Sequence, residues 1–209
     1  MKDASRVAAV RSGIRIEVFT VVWMVIEAAV SLGAGIVAGS ILLTAFGLDS
    51  VIELISGSVL LWRLSFESGG GEAERVERVE RIATRVVAVT LALLCVYVVV
   101  SSIHGLATQA KPESSPVGIG VSIAAIVVMP YLAFRKRRIA ERIESEALEG
   151  DAVESIICAY MAGTVLVGLA LNALIGWWWA EDFAALVFLF WLGRETWEAF
   201  EEVREGAEE

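Results

Sequence analysis

An all-α polytopic membrane protein with six transmembrane helices is the fold class this sequence predicts, on three observations. First, 57% of its 209 residues are hydrophobic and the mean hydropathy is +0.70, more apolar surface than a soluble domain of this size can hide. Second, six apolar stretches approach or exceed the roughly 20 residues needed to cross a hydrocarbon core of about 30 Å. Third, every Lys and Arg except Lys111 falls on one side of the resulting topology. A soluble helical bundle would need polar helix faces, and several of these stretches are apolar all round.

The predicted spans are Ile16–Val37, Ile41–Arg63, Ala83–Leu106, Val117–Phe134, Leu148–Ile175 and Phe183–Phe200. They form a transmembrane domain over 16–200, preceded by a basic cytoplasmic segment, 1–15, and followed by a short acidic cytoplasmic tail, 201–209. No small-residue cleavage site follows the basic start, so it is not read as a removable signal peptide. The first two spans are joined by Ala38-Gly39-Ser40, a linker that only antiparallel neighbours can use. The charged stretches 65–83 and 135–144 alternate Arg and Glu and read as helical extensions at the membrane surface. The connection between the third and fourth spans is polar, with two prolines. The sixth span is the weakest: its apolar run breaks at Gly193-Arg194-Glu195, and its lower end is expected in water or headgroups. The positive charges put both termini in the cytoplasm, and Trp177, Trp178 and Trp179 mark the outer interface.

The net charge of −9 comes largely from Glu in loops and tail, and nucleic acid is not an expected partner. Cys95 and Cys158 lie inside apolar segments and build neither a disulfide framework nor a zinc-finger spacing. No Walker loop, dinucleotide fingerprint, HExxH or nucleophile elbow occurs. The chain is therefore not expected to be an enzyme or an ATP-driven pump, and no permanently bound cofactor is expected.

Charged side chains at bilayer depth cost at least a few kcal/mol each and normally face a cavity or a partner. Those placed inside the spans are Glu27, Asp49, Glu53, Asp151 and Glu154, with no base expected at their depth. Asp49 and Glu53 are four apart and share a helix face. Adjacent carboxylates repel, so at least one keeps its proton until a cation arrives to hold both, as a site exchanging metal for protons requires. Asp151, Glu154 and Cys158, at i, i+3 and i+7, form a second stripe. If the second and fifth helices pack antiparallel, Glu53 levels with Glu154 and Asp49 with Cys158, making a four-donor pocket suited to Zn²⁺. Small residues around them, Gly47, Ser50, Ser56, Gly57, Ser155 and Ala159 among them, would let the helices close up. Asp151 can also be read as a solvated helix-start acid and Cys158 as an apolar filler. Glu27 is a secondary candidate, as a proton relay or as part of a polar network with Ser31. His104, the only histidine, sits near the outer end of the third span and reads as locally satisfied rather than ligating.

These residues resemble the cation diffusion facilitator (cation efflux) family, over about Trp23 to Glu198. The similarity is carried by GSILLTAFGLDSVIEL, which holds Asp49 and Glu53, and by SEALEGDAVESIICAYMAGTVLVGL, which places Asp151, Glu154 and Cys158 on the family's fifth-helix acid, His/Asp and final Asp positions. Two of those three positions depart from the family's commonest pattern. The resemblance is to a short bacterial form lacking the cytoplasmic C-terminal domain and the His-rich loop. It implies a cation-efflux-like bundle, a homodimer formed through the transmembrane helices, and a multi-pass protein of the bacterial inner membrane. On this basis the chain is expected to be a proton-coupled efflux transporter, with Zn²⁺ first and Cd²⁺, Co²⁺, Mn²⁺ or Fe²⁺ behind it as transported substrate. The alternatives are a proton-coupled exporter of organic cations and a non-transporting metal sensor or scaffold.

Overall fold

Six helices and no strand make up the described residues of the computed structural model, 2–68, 73–109, 111–143 and 145–208. They are α1 (Lys2–Ala38), α2 (Ile41–Ser68), α3 (Ala73–Thr108), α4 (Pro116–Ile143), α5 (Glu146–Ile175) and α6 (Ala180–Glu208). The helices meet in the ring order α1, α2, α3, α6, α5, α4, and α2 also reaches across to touch α5 and α6. Five of them contain a stretch long and apolar enough to cross a membrane. The sixth, interrupted by Arg194, Glu195 and Glu198, is the most polar, as its sequence suggested. Both charged stretches are helical where described, as extensions of α3 and α4, and the acidic tail continues α6 to Glu208.

Local chemistry sets the helix ends. After α1, Gly39 adopts φ 63°, with Ser40 N donating to Gly35 O at 2.9 Å and Gly39 N to Ile36 O at 3.3 Å, a Schellman closure that only a residue tolerant of the left-handed region makes easily. Ser40 then caps α2 by accepting from Leu43 N at 3.2 Å. Ser115 caps α4 at Gly118 N, 3.1 Å, ahead of Pro116 in the first helical position. Ser145 caps α5 at Leu148 N, 3.3 Å, and Gly176 at φ 72° ends that helix.

Outward faces are apolar, with Phe19, Val37, Leu93, Val127, Leu174 and Phe190 exposed, and this is the surface lipid covers. Between helices, where lipid removes the hydrophobic drive, association rests on close packing and small residues. Gly47 shows this: a Cβ there would lie 2.7 Å from Leu32 N, so α1 and α2 touch backbone to backbone.

The end of the bundle away from the termini is tied shut by polar contacts. Glu181, at the start of α6, accepts from the Ser40 hydroxyl and from Asn172 Nδ2 of α5, the latter at 2.7 Å. Asn172 also donates to Pro112 O at 3.1 Å, and Glu113 N to Ala38 O at 2.8 Å. Asp182 packs against Gly105 of α3. Trp177 and Trp179 stack at 5.1 Å beside this clasp and stay largely exposed, as interface anchors do.

Candidate metal centre

The buried stripe of α1 runs Gly13, Glu17, Thr20, Met24, Glu27, Ser31, spaced three and four apart so that all face the bundle. Glu27 is fully buried. Its Oε2 accepts from Trp23 Nε1 at 2.8 Å; its Oε1 accepts from the Ser50 hydroxyl at 2.8 Å and from the Cys158 thiol at 3.6 Å. Opposite it, Glu53 of α2 is buried, with no hydrogen-bond partner among the described residues for either carboxylate oxygen. Glu27, Glu53 and Cys158 each offer one ligand atom, and the three lie within 4.8 Å of one another. Zinc bonds of about 2.0–2.3 Å place tetrahedral donors roughly 3.3–3.8 Å apart, so small side-chain rotations close this triangle on an ion. Counting inward from Ile41 at about 1.5 Å per residue, Glu53 sits near 18 Å deep, close to mid-bilayer.

Asp49, one turn above Glu53, is 1% exposed and both its oxygens also lack partners among the described residues. The expected register, Asp49 beside Cys158 and Glu53 beside Glu154, is not the one observed: Glu53 meets Cys158, one turn away along α5, and the third donor is Glu27. The α1–α2 contact positions Glu27, and Ser50 rather than Ser31 holds it; Ser31 Oγ has no partner among the described residues.

Asp49, Glu53, Asp151 and Glu154 line one cavity of about 640 Å³ between α2, α3, α5 and α6. Its mouth is at the end carrying Arg63, Ala147, Arg194 and Glu198, where α2 finishes and α5 begins. Glu154 is half-buried on this wall, within electrostatic reach of Glu53.

Two further residues near these acids were not singled out by depth alone. Lys136 of α4 is fully buried, ion-paired with Asp151 and 3.6 Å from Glu17 Oε2, and it donates to Ser155 Oγ at 3.3 Å. The expectation of acids with no base at their depth is thereby corrected. Lys136 lies two residues past the predicted end of the fourth span, within a run of basic residues, yet it continues the buried stripe Met129, Leu132, Ala133, Lys136, Ile139, Ala140, Ile143. Glu17, at the edge of the first span, likewise belongs to the buried stripe of α1. The second residue is Glu195 of α6. It was expected in water, but it continues the stripe Phe188, Leu192, Ala199, lines the cavity, and has an Oε1 sealed from solvent without a partner. Its neighbour Arg194 is exposed, as expected, and pairs with Glu198 at 2.7 Å. His104 is exposed and distant from these groups in the fold, and both cysteines are free thiols.

Comparison with known proteins returns a match of residues 18–205 to the cation efflux transmembrane domain. An uncharacterized transporter of Synechocystis sp. is 25% identical over 74% of this chain and 51% of its own length. Transmembrane protein 163 of Xenopus laevis is 28% identical over 58% of this chain and 42% of its own. The cation-efflux pump FieF of Shewanella oneidensis is 27% identical over 40% of this chain and 28% of its own. The chain thus spans about half or less of the length of these curated relatives.

Proposed function

The chain belongs to the cation efflux family, and on that premise we propose that it carries divalent transition-metal ions, Zn²⁺ first, across a membrane in exchange for protons. The observation that carries this reading is the orphaned carboxylate of Glu53, held within 4.8 Å of a carboxylate and a thiol. A buried group without a partner is costly unless something binds it. Oxygen and sulfur donors around one point suit Zn²⁺ or Cd²⁺.

Ligation would also move protons. Cys158 donates its S–H to Glu27 and must lose that proton to bind metal as a thiolate. Protons on Asp49 or Glu53 leave for the same reason when the ion arrives. Rocking of the bundle would then open the clasped end, where protons reload the acids and release the ion. With the termini in the cytoplasm, the cavity is the inward-facing entry. Assembly as a homodimer through the spans, and residence in a bacterial inner membrane, belong to the same proposal.

A second reading, proton-coupled export of an organic cation, draws on the cavity: 640 Å³ falls within the range of small-molecule sites, about 300–1,000 Å³. Proteoliposomes enclosing a Zn²⁺ dye test both readings. Zinc uptake driven by a pH gradient, lost in Asp49→Asn, is the expected result. Folded protein that moves none of the five metals but acidifies vesicles in response to organic cations would replace the first reading by the second.

A further inference from the structure

We propose that Glu195 of α6 is a cargo-binding residue that sets metal selectivity by adding an oxygen donor to the Asp49 and Glu53 side of the cavity. The proposal rests on the carrier reading above and extends the binding site to a third wall of the cavity, beyond α2 and α5. Several independent observations point the same way. Glu195 stands on the buried stripe of α6 between Leu192 and Ala199, while Arg194 and Glu198 on its exposed side pair with each other. Its Oε1 is shut off from solvent with no hydrogen-bond partner among the described residues. It lines the same cavity as Asp49, which is 1% exposed with neither oxygen partnered among the described residues.

The chemistry of the two groups differs. Glu27, Glu53 and Cys158 form a mixed oxygen and sulfur set, whereas Asp49, Glu53 and Glu195, which line the cavity together, offer oxygen alone. Thiolate favours Zn²⁺ and Cd²⁺, and carboxylate favours Mn²⁺. Glu53 is common to both sets. Glu195 therefore serves the harder ions more than the softer ones.

The test is uptake of Mn²⁺ and of Cd²⁺ by proteoliposomes of the full chain, each over a range of concentration. Glu195→Gln keeps shape and removes charge. It should raise half-saturating Mn²⁺ by about tenfold, the loss of one charge-assisted ligand, and Cd²⁺ by less than about threefold. Glu195→Cys is the independent variant and should invert the order, with Mn²⁺ weakened and Cd²⁺ tightened. Equal changes for both ions, or none, in both variants would overturn the role of Glu195 while leaving the carrier intact. A wild-type protein that moves neither ion would instead remove the carrier reading on which the proposal stands.

Discussion

Two sets of buried carboxylates lie about two turns apart along α5, and they are treated in opposite ways. Near the termini, Glu17 and Asp151 share Lys136, so three helices are joined through one ammonium. Near mid-bilayer, Asp49 and Glu53 have no hydrogen-bond partner among the described residues. A buried ion pair mostly fixes geometry, since its Coulombic gain is offset by desolvation. An unpartnered carboxylate stabilises nothing until a cation or a proton reaches it. On the proposed reading the Lys136 set is a brace, and the Glu53 set a binding site whose cost is recovered only when cargo is bound. Asp151 stands on the brace side of this division although it also lines the cavity.

The sharpest way to break the comparison is to exchange the expected effects. Glu53→Gln should abolish metal flux, by at least about 100-fold, and leave unfolding in detergent unchanged or slightly delayed, because one uncompensated buried charge is gone. Lys136→Met should do the reverse. It should destabilise by about 3–5 kcal/mol, the cost of stranding buried partners, and the triple variant Glu17→Gln, Lys136→Met, Asp151→Asn should recover most of that loss in thermal unfolding. A Lys136→Met protein that is stable yet inactive would move the lysine from brace to transport machinery. A smaller effect is expected for Cys158→Ser, about a tenfold weakening for Cd²⁺ with Mn²⁺ little changed, read as half-saturation of uptake.

The smallest effect concerns the clasped end. Burial, and then the neighbouring Glu181, push Asp182 up to about 6 from 3.8. Burial likewise raises Glu181, while hydrogen bonds from Ser40 and Asn172 pull it back. For Asp182 the folded state holds the extra proton between those two values, so its contribution is fully present below about pH 4 and is lost as pH rises through about 6. Protection of the amides in the first turn of α6, corrected for the intrinsic pH dependence of exchange, should be higher near pH 5 than near pH 7.5, and Asp182→Asn should remove that difference.

Much of this was legible in the residues. The four-residue spacing of Asp49 and Glu53, the stripe carrying Cys158, and the six helices all follow from hydropathy and helical period. What escaped needed the third dimension. Glu27, a secondary candidate in the sequence, stands beside Glu53 and Cys158 only because α1 packs tightly on α2 in one register, and that register, fixed by contacts such as Gly47 against Leu32, is not written in either helix alone. Lys136 and Glu195 escaped for another reason: both sit among charges at the end of an apolar run, and hydropathy assigns such residues to water. Their spacing within the buried stripes of α4 and α6 was the signal that places them inside.

The central claim, that Glu27, Glu53 and Cys158 together hold the cargo ion, is tested most directly by X-ray absorption at the zinc edge of the metal-loaded protein. One sulfur at about 2.3 Å with oxygens near 2.0–2.2 Å, the sulfur lost in Cys158→Ser and an oxygen lost in Glu27→Gln, is the predicted result. An oxygen-only shell that neither substitution alters would contradict it.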